Sequence, residues 1–300
     1  METLTGFIER WRVENQWRIR EIRFAWYLFK SAPLSVLGLA MVTGIVIISV
    51  LAPILATHDP YGINFADQFQ APNWNHYFGT DGLGMDIYSR VLYAGLYDLS
   101  VGLIVLVVSM TIGGLVGIVA GYLGGKIDEL LMRVCDIFLA IPGLILAMAF
   151  SAALQSRSLQ VLVLAISLQN WASYARLVRG QVLSVRENQY IEAARATGAG
   201  VWRILTKHIT PNVVSPIIVN GTLDTGRIIL TAATLSFIGL GAPPGTAEWG
   251  RMVAEGRIYM QSYPWIIIGP GIMILITVLG LNLLGDGLRD ILDPRSRTRA

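Results

Sequence analysis

The sequence predicts an all-α membrane protein that crosses the bilayer with six helices. Three observations lead there: a greasy composition, six long apolar runs, and a lopsided placement of Lys and Arg. Of 300 residues, 54% are hydrophobic and 14% charged, where an ordinary soluble domain has about 25% charged. A hydrocarbon layer about 30 Å thick needs roughly 20 apolar residues in helix. Ser35–Ala56, Leu99–Tyr122, Leu131–Leu154, Leu159–Tyr174, Val213–Leu240 and Trp265–Leu284 reach or approach that length. Gln169, Asn170 and Ser173 dilute the end of the fourth run. The net charge of +3 is small, but Lys and Arg near helix ends collect on the cytoplasmic side. With the N-terminus inside, the basic residues of 1–34, Lys126, Arg133, those from Arg176 to Lys207 and those of the tail all face the cytoplasm. Only Arg90, Arg157, Arg251 and Arg257 fall outside. Both termini are therefore expected in the cytoplasm, together with the loop between the fourth and fifth spans.

Along the chain, residues 1–34 set Phe7, Ile8, Trp11, Trp17, Phe24 and Trp26 among basic side chains, a pattern suited to a helix lying in the headgroup layer. No cleavable leader is evident, because the first apolar run is long enough to span. Residues 35–98 hold the first span and an outer loop in which GTDGLGMDIYSR signals a turn and then a helix start at Asp86. The spacing of its aspartates is not that of a calcium loop. The core, 99–285, opens with Gly113, Gly117, Gly121 and Gly125, a smooth stripe for close helix packing. Pro142 should kink the third span. Asp224 and Arg227 lie at i, i+3 within the fifth and can meet on one face. They line a hydrated pathway or form a structural pair; spacing alone leaves both open. GAPPGTAEWGRMV follows, with a Trp suited to the outer interface, and 286–300 form a cytoplasmic tail. The one cysteine, Cys135, reads as a small packing residue and permits no intrachain disulfide.

Much chemistry is missing. The nearest approach to a phosphate-cradling loop, AGYLGGKI at 120–127, has Ala120 for the first Gly and Ile127 for Ser or Thr. His58, His76 and His208 are far apart in sequence, and no metal site is expected from them. No nucleophile and base can be paired from spacing. The chain itself is expected to be no enzyme, with no bound cofactor or metal and no nucleic-acid partner.

The informative stretch is YIEAARATGAGVWRILTKHITP, residues 190–211, a polar interlude within a loop, 176–212, bracketed by apolar runs. Tyr190 opens it, and Glu192 to Ala196 are good helix formers. Gly198 and Gly200 permit positive φ angles and a sharp turn. Val201, Ile204, Leu205 and His208 repeat as one apolar stripe, Arg203 and Lys207 occupy another face, and Pro211 should break the pattern before the fifth span. Ala193 and Ala194 leave room for a neighbouring protein surface, and Glu192 offers it an acidic contact. An ordinary interfacial loop would carry a similar pattern.

Glu192-Ala193-Ala194, with Gly198 four residues on and then His208-Ile209 and Pro211-Asn212, resembles the EAA signature of importer-type ABC permeases. FGTDGLGMDIYSR (78–90), AGYLGGKIDELLMR (120–133), LSFIGLGAPPGTAEWG (235–250) and LLGDGLRDILDP (283–294) resemble the second, shorter permease subunit of the dipeptide/oligopeptide/nickel family. The likeness covers about 26–295. Met85, Leu96, Asp98 and Thr210 depart from the residues usual there. The resemblance implies a type I ABC importer permease fold in a prokaryotic inner membrane. Its partners would be a homologous permease, two cytoplasmic ATPases that bind ATP and Mg, and an extracytoplasmic solute-binding protein. Tyr190, Glu192, Ala193, Ala194, Arg195, Gly198, Ala199, Val201, Ile204 and Lys207 would form the coupling element, and the cargo would be a dipeptide or oligopeptide. Nickel or another small solute, an ion-driven secondary carrier and a non-transport scaffold are the alternatives.

Overall fold

A computed structural model describes residues 29–292, with 23, 24 and 27 ahead of them. Most of the interfacial segment read at 1–34, and the last residues of the tail, lie outside the described residues. The helices are α1 (Pro33–Val50), α2 (Ala52–Leu55), α3 (Ile87–Leu123), α4 (Gly125–Ala140), α5 (Gly143–Leu154), α6 (Leu159–Arg186), α7 (Gln189–Ala196), α8 (Val201–Ile204), α9 (Thr210–Ile238), α10 (Trp249–Gly256) and α11 (Trp265–Leu292). Among the described residues the only β pairing is an isolated bridge between Thr80 and Asp86.

Four helices, α1, α3, α6 and α11, are each long and apolar enough to cross a membrane, and two bent pairs raise the number to six if each pair is one span. One pair is α4 with α5, bent by 87°; the other is Val201–Val214 with Pro216–Ile238, bent by 46°. Pro142 therefore does more than kink the third span. Ile141, the residue before it, takes the extended backbone (φ −89°, ψ 129°) that a following proline favours, and the helix stops and restarts. At 1.5 Å per residue α4 and α5 are about 24 and 18 Å long, each too short to cross alone.

Elsewhere the helices outrun the apolar runs. The second span begins at Ile87, not Leu99, and Asp86 caps it by accepting the Ser89 N–H at 2.8 Å. The fourth continues past Tyr174 to Arg186 and the last past Leu284 to Leu292. Backbone hydrogen bonding carries on into water after the apolar pattern ends.

The glycine stripe packs α3 against α6 within the subunit. A Cβ on Gly113 would stand 2.3 Å from the Trp171 carbonyl oxygen, and one on Gly117 would stand 2.5 Å from that of Ala175. Gly125 does not belong to the stripe. With Gly124 it takes positive φ, 57° and 67°, and turns the chain from α3 into α4. Cys135 is buried against Ala172 and Ala175. Val101, Leu162, Ile166, Ile228 and Leu235 form the central core between α3, α6 and α9. A second cluster surrounds Trp249, whose indole N–H donates to the Val91 carbonyl at 3.0 Å. Trp249 is fully buried, so it is a core anchor and not the interfacial residue expected from the sequence.

Candidate functional site

The polar stretch folds as a short helix followed by a turn and a long one. Helix α7 stands off the bundle, with Tyr190, Glu192, Ala193, Arg195 and Ala196 exposed and Ala194 half-buried. Ile191 alone is fully buried. It enters a cluster with Tyr174, Val178 and Val182 of α6 and with Ile204, Ile209, Val213 and Ile217. The Arg195 guanidinium lies 5.8 Å from the centre of the Tyr122 ring at the end of α3, within cation–π range. Glu192 has no ion-pair partner among the described residues. After Thr197 the backbone turns at Gly198, φ +78°, with open space around it, and Ala199 N–H closes the turn on the Ala194 carbonyl at 3.0 Å.

Three details differ from the sequence reading. Gly200 has φ −66° and ψ 158°, so Gly198 alone makes the left-handed turn. Val201 is 53% exposed; it begins α8 beyond the edge of the bundle, and the packed stripe is Ile204, Leu205, His208 and Ile209. Pro211 does not end the helix. A π-helical segment, Leu205–Ile209, joins α8 to α9. Its wide turn accommodates a proline that lacks a donor and crowds the carbonyl four residues back. The Asn212 side chain donates to the His208 carbonyl at 2.6 Å. The polar stretch is thus fused to the fifth span. Arg203 and Lys207 remain exposed on its outer face.

On α9, Asp224 and Arg227 do meet, Oδ1 to Nη2 at 3.0 Å, with the Arg227 side chain 59% exposed. They belong to a longer polar row. Asn220, Asp224, Arg227, Thr231 and Thr234 follow one another at alternating steps of four and three, hence along one face. The Thr231 and Thr234 hydroxyls bond back to the Arg227 and Leu230 carbonyls, at 2.8 and 2.7 Å. Ile228, Ile229, Ala232 and Leu235 fill the opposite, buried face. Asn220, Thr231 and Thr234 were readable from their spacing with Asp224, which the sequence reading passed over.

At the end of the bundle where α3 begins, a cavity of about 430 Å³ is lined by Asp81, Arg90, Phe237, Arg251, Glu255, Arg257 and Tyr259 among others. Arg90 sits in the first turn of α3, where the helix start read at Asp86 places it, and it is fully buried. Its guanidinium donates to the Met85 sulfur at 2.6 Å and lies 3.7 Å from Asp81 and 3.6 Å from Glu255. Burial pushes the Asp81 carboxyl above its ordinary range although Arg90 pulls it down. Asp98 accepts the Trp249 N–H at 3.1 Å and hydrogen-bonds the side chain of Glu248. Glu248 in turn caps α10, accepting the Gly250 and Arg251 N–H groups at 3.0 and 2.6 Å. Burial raises Glu248 above the ordinary carboxylate range, against these donors. A hydrogen bond between two carboxyls requires that one carry a proton.

A helical bundle with several spans, an exposed knob rooted in its core and a polar row along one span defines a multi-pass membrane transport subunit. The chain belongs to the family described as the binding-protein-dependent transport system inner membrane component, whose pattern its residues 113–298 match. Residues 22–72 match the N-terminal TM domain of oligopeptide transport permease C. The probable D,D-dipeptide transport system permease protein DdpC of Escherichia coli is 43% identical over 95% of both chains. The dipeptide transport system permease protein DppC of Alkalihalophilus pseudofirmus is 41% identical over 92% of this chain and 90% of its own. The oligopeptide transport system permease protein OppC of Bacillus subtilis is 36% identical over 90% and 88%. The fold is similar to that of a chain of the inward-facing MetNI methionine ABC transporter, with TM-score 0.50 and 19% identity, over 65% of this chain and 94% of that one. As a member of its family this chain is an ABC importer permease subunit, and it works in a complex with other subunits.

Proposed function

We propose that this chain forms half of the pathway of an ATP-driven importer for a dipeptide or short oligopeptide. In this reading α7 is the element that receives the motion of a cytoplasmic ATPase. The observation that carries it is the single buried side chain of α7. Ile191 roots an otherwise water-exposed helix in a cluster shared by α6 and α9. Contact made differently in two states is what lets one component bias another. A push on α7 reaches α9 through Ile191 and through the continuous backbone beyond Gly200. The polar row of α9, with Asp224 and Arg227 at its middle, faces the pathway between this chain and a second, homologous permease. Two ATPases hold ATP and Mg, and this chain carries no nucleotide site. An extracytoplasmic binding protein delivers cargo to the outer side, and both termini lie in the cytoplasm of a prokaryotic cell with the bundle in its inner membrane. The peptide class rests on the names of the relatives.

The test is reconstitution. Co-expressed permeases and ATPases are placed in proteoliposomes with the binding protein and a radiolabelled dipeptide. ATP-dependent accumulation that vanishes when this chain is left out is the expected result. Accumulation by this chain alone under an ion gradient, or no recovery of ATPase subunits with it, overturns the reading.

A further inference from the structure

We infer that His58, His76 and Asp86 form a binding site for one divalent transition-metal ion of the zinc class at the outer end of α3. The residues come from three segments: the chain leaving α2, the middle of the outer loop, and the cap of α3. One nitrogen or oxygen atom from each lies within 4.8 Å of the other two. Both imidazoles turn Nδ1 toward the same carboxylate oxygen, Oδ1 of Asp86, at 2.9 Å from His76 and 3.9 Å from His58. The two rings stack, centres 4.5 Å apart and planes 28° from parallel.

Two histidine nitrogens and a carboxylate oxygen are a donor set that zinc accepts. Bond lengths of about 2.0–2.2 Å place tetrahedral ligand atoms roughly 3.3–3.5 Å from one another. The separations found here bracket that value, so small side-chain adjustments close the site. The adjustment falls on His58, whose side chain is 40% exposed; those of His76 and Asp86 are 8% and 1% exposed. Without an ion, only His76 is within hydrogen-bond distance of Asp86. His58 Nδ1 then has the Thr57 hydroxyl at 3.0 Å as its neighbour, a contact that the ion would replace.

The supporting contacts leave the ligand atoms free. Asp86 uses Oδ2 to accept the Ser89 N–H at 2.8 Å, which keeps Oδ1 for the site. Ser89 Oγ accepts the backbone N–H of His58 at 3.1 Å, and Asn73 Oδ1 accepts that of His76 at 2.9 Å. Partners of this kind fix ligand orientation around bound metals. The exposed side of His58 leaves the fourth position to water. A bound ion would staple the end of the first span and the outer loop to the start of the second. The inference is independent of the cargo.

The test uses the full chain in its assembled transporter, in nanodiscs, without a polyhistidine tag and stripped of metal. Zn²⁺ is titrated in competition with a chromophoric chelator. Loss of an outer-shell partner weakens metal binding about 10–100-fold, so removal of a direct ligand is expected to weaken it roughly 100-fold or more. His58→Gln and Asp86→Asn should show that loss, and His208→Gln should not. His58→Gln changes an exposed side chain and keeps the backbone bond to Ser89, and asparagine still caps a helix, so both variants should fold. Equal Zn²⁺ affinity and stoichiometry in wild type and His58→Gln, or no binding by wild type, overturns the assignment.

Discussion

Glu192 is an exposed carboxylate, four residues before the end of α7, with no ion-pair partner among the described residues. Replacing it changes little within the subunit, since exposed substitutions of this kind stay within about 0.5 kcal/mol. Its value lies in what it meets outside. Under the proposed coupling, Glu192→Lys leaves membrane insertion and assembly intact and lowers ATP-driven uptake by roughly tenfold or more, the scale of an ordinary coupling energy. Uptake and ATP hydrolysis measured side by side in proteoliposomes check this; normal uptake would remove α7 from the coupling role. Gly198→Pro should be harsher, because proline holds φ near −65° and this position sits at +78°. The buried pair at the outer end makes a different forecast. Glu248 is raised above its unfolded value of 4.5, so between pH 4.5 and that higher value the folded chain holds more protons than the unfolded one. Stability therefore falls as pH rises through this window. Glu248→Gln removes the titrating carboxyl while keeping an acceptor for the Gly250 and Arg251 N–H groups, and should flatten the dependence in thermal unfolding of the solubilised protein. The sequence showed Asp98 as a departure but gave no hint of its partner, because Asp98 and Trp249 are 151 residues apart and no periodicity links them.

Among elements, the α3–α6 contact is the least tolerant of added volume. Gly117→Val would drive a branched side chain into the Ala175 carbonyl, 2.5 Å from the new Cβ. Backbone cannot move aside as a side chain can, so the cost is expected at about 3 kcal/mol, read as a lower unfolding midpoint and reduced yield. Gly114 faces open space, and Gly114→Ala should be nearly silent. The stripe was visible in the sequence as a four-residue repeat, and its partner was not. Helix existence was legible in the six apolar runs from their length. The ends were legible only in part: the helix start at Asp86 was readable, but the apolar run begins at Leu99 and does not show that the two belong to one helix. The break at Ile141–Pro142 and the wide turn at Leu205–Ile209 show the limit from the other side. One proline stopped a helix and the other was absorbed, and the difference lies in the backbone around each.

For the whole molecule, the charge asymmetry predicts sidedness, and the chain is convenient for testing it. Cys135, the one cysteine, is buried. Trp202 and Trp74 are 78% and 93% exposed, and cysteine introduced at either should be the reactive thiol. In intact right-side-out vesicles a membrane-impermeant maleimide is expected to label Trp74→Cys and to spare Trp202→Cys until the vesicles are opened. The opposite pattern would place α7 outside and end the proposed coupling.

The join between α8 and α9 has a mechanical meaning. From Val201 to Ile238 the backbone stays helical but bends by 46° between Val214 and Pro216, giving two arms of roughly 20 and 35 Å at 1.5 Å per residue. Its far tip, Phe237 and Ile238, forms part of the wall of the charged cavity beside Arg90. Under the proposed coupling this bent arm would work as a lever, pivoting where it is gripped by α3 and α6 and carrying to the far tip a displacement applied near α7. Levers act in both directions. Under the proposed coupling, whatever free energy a docked ATPase contributes to opening the far rim, occupancy at that rim returns as an equal change in the docking affinity of the ATPase.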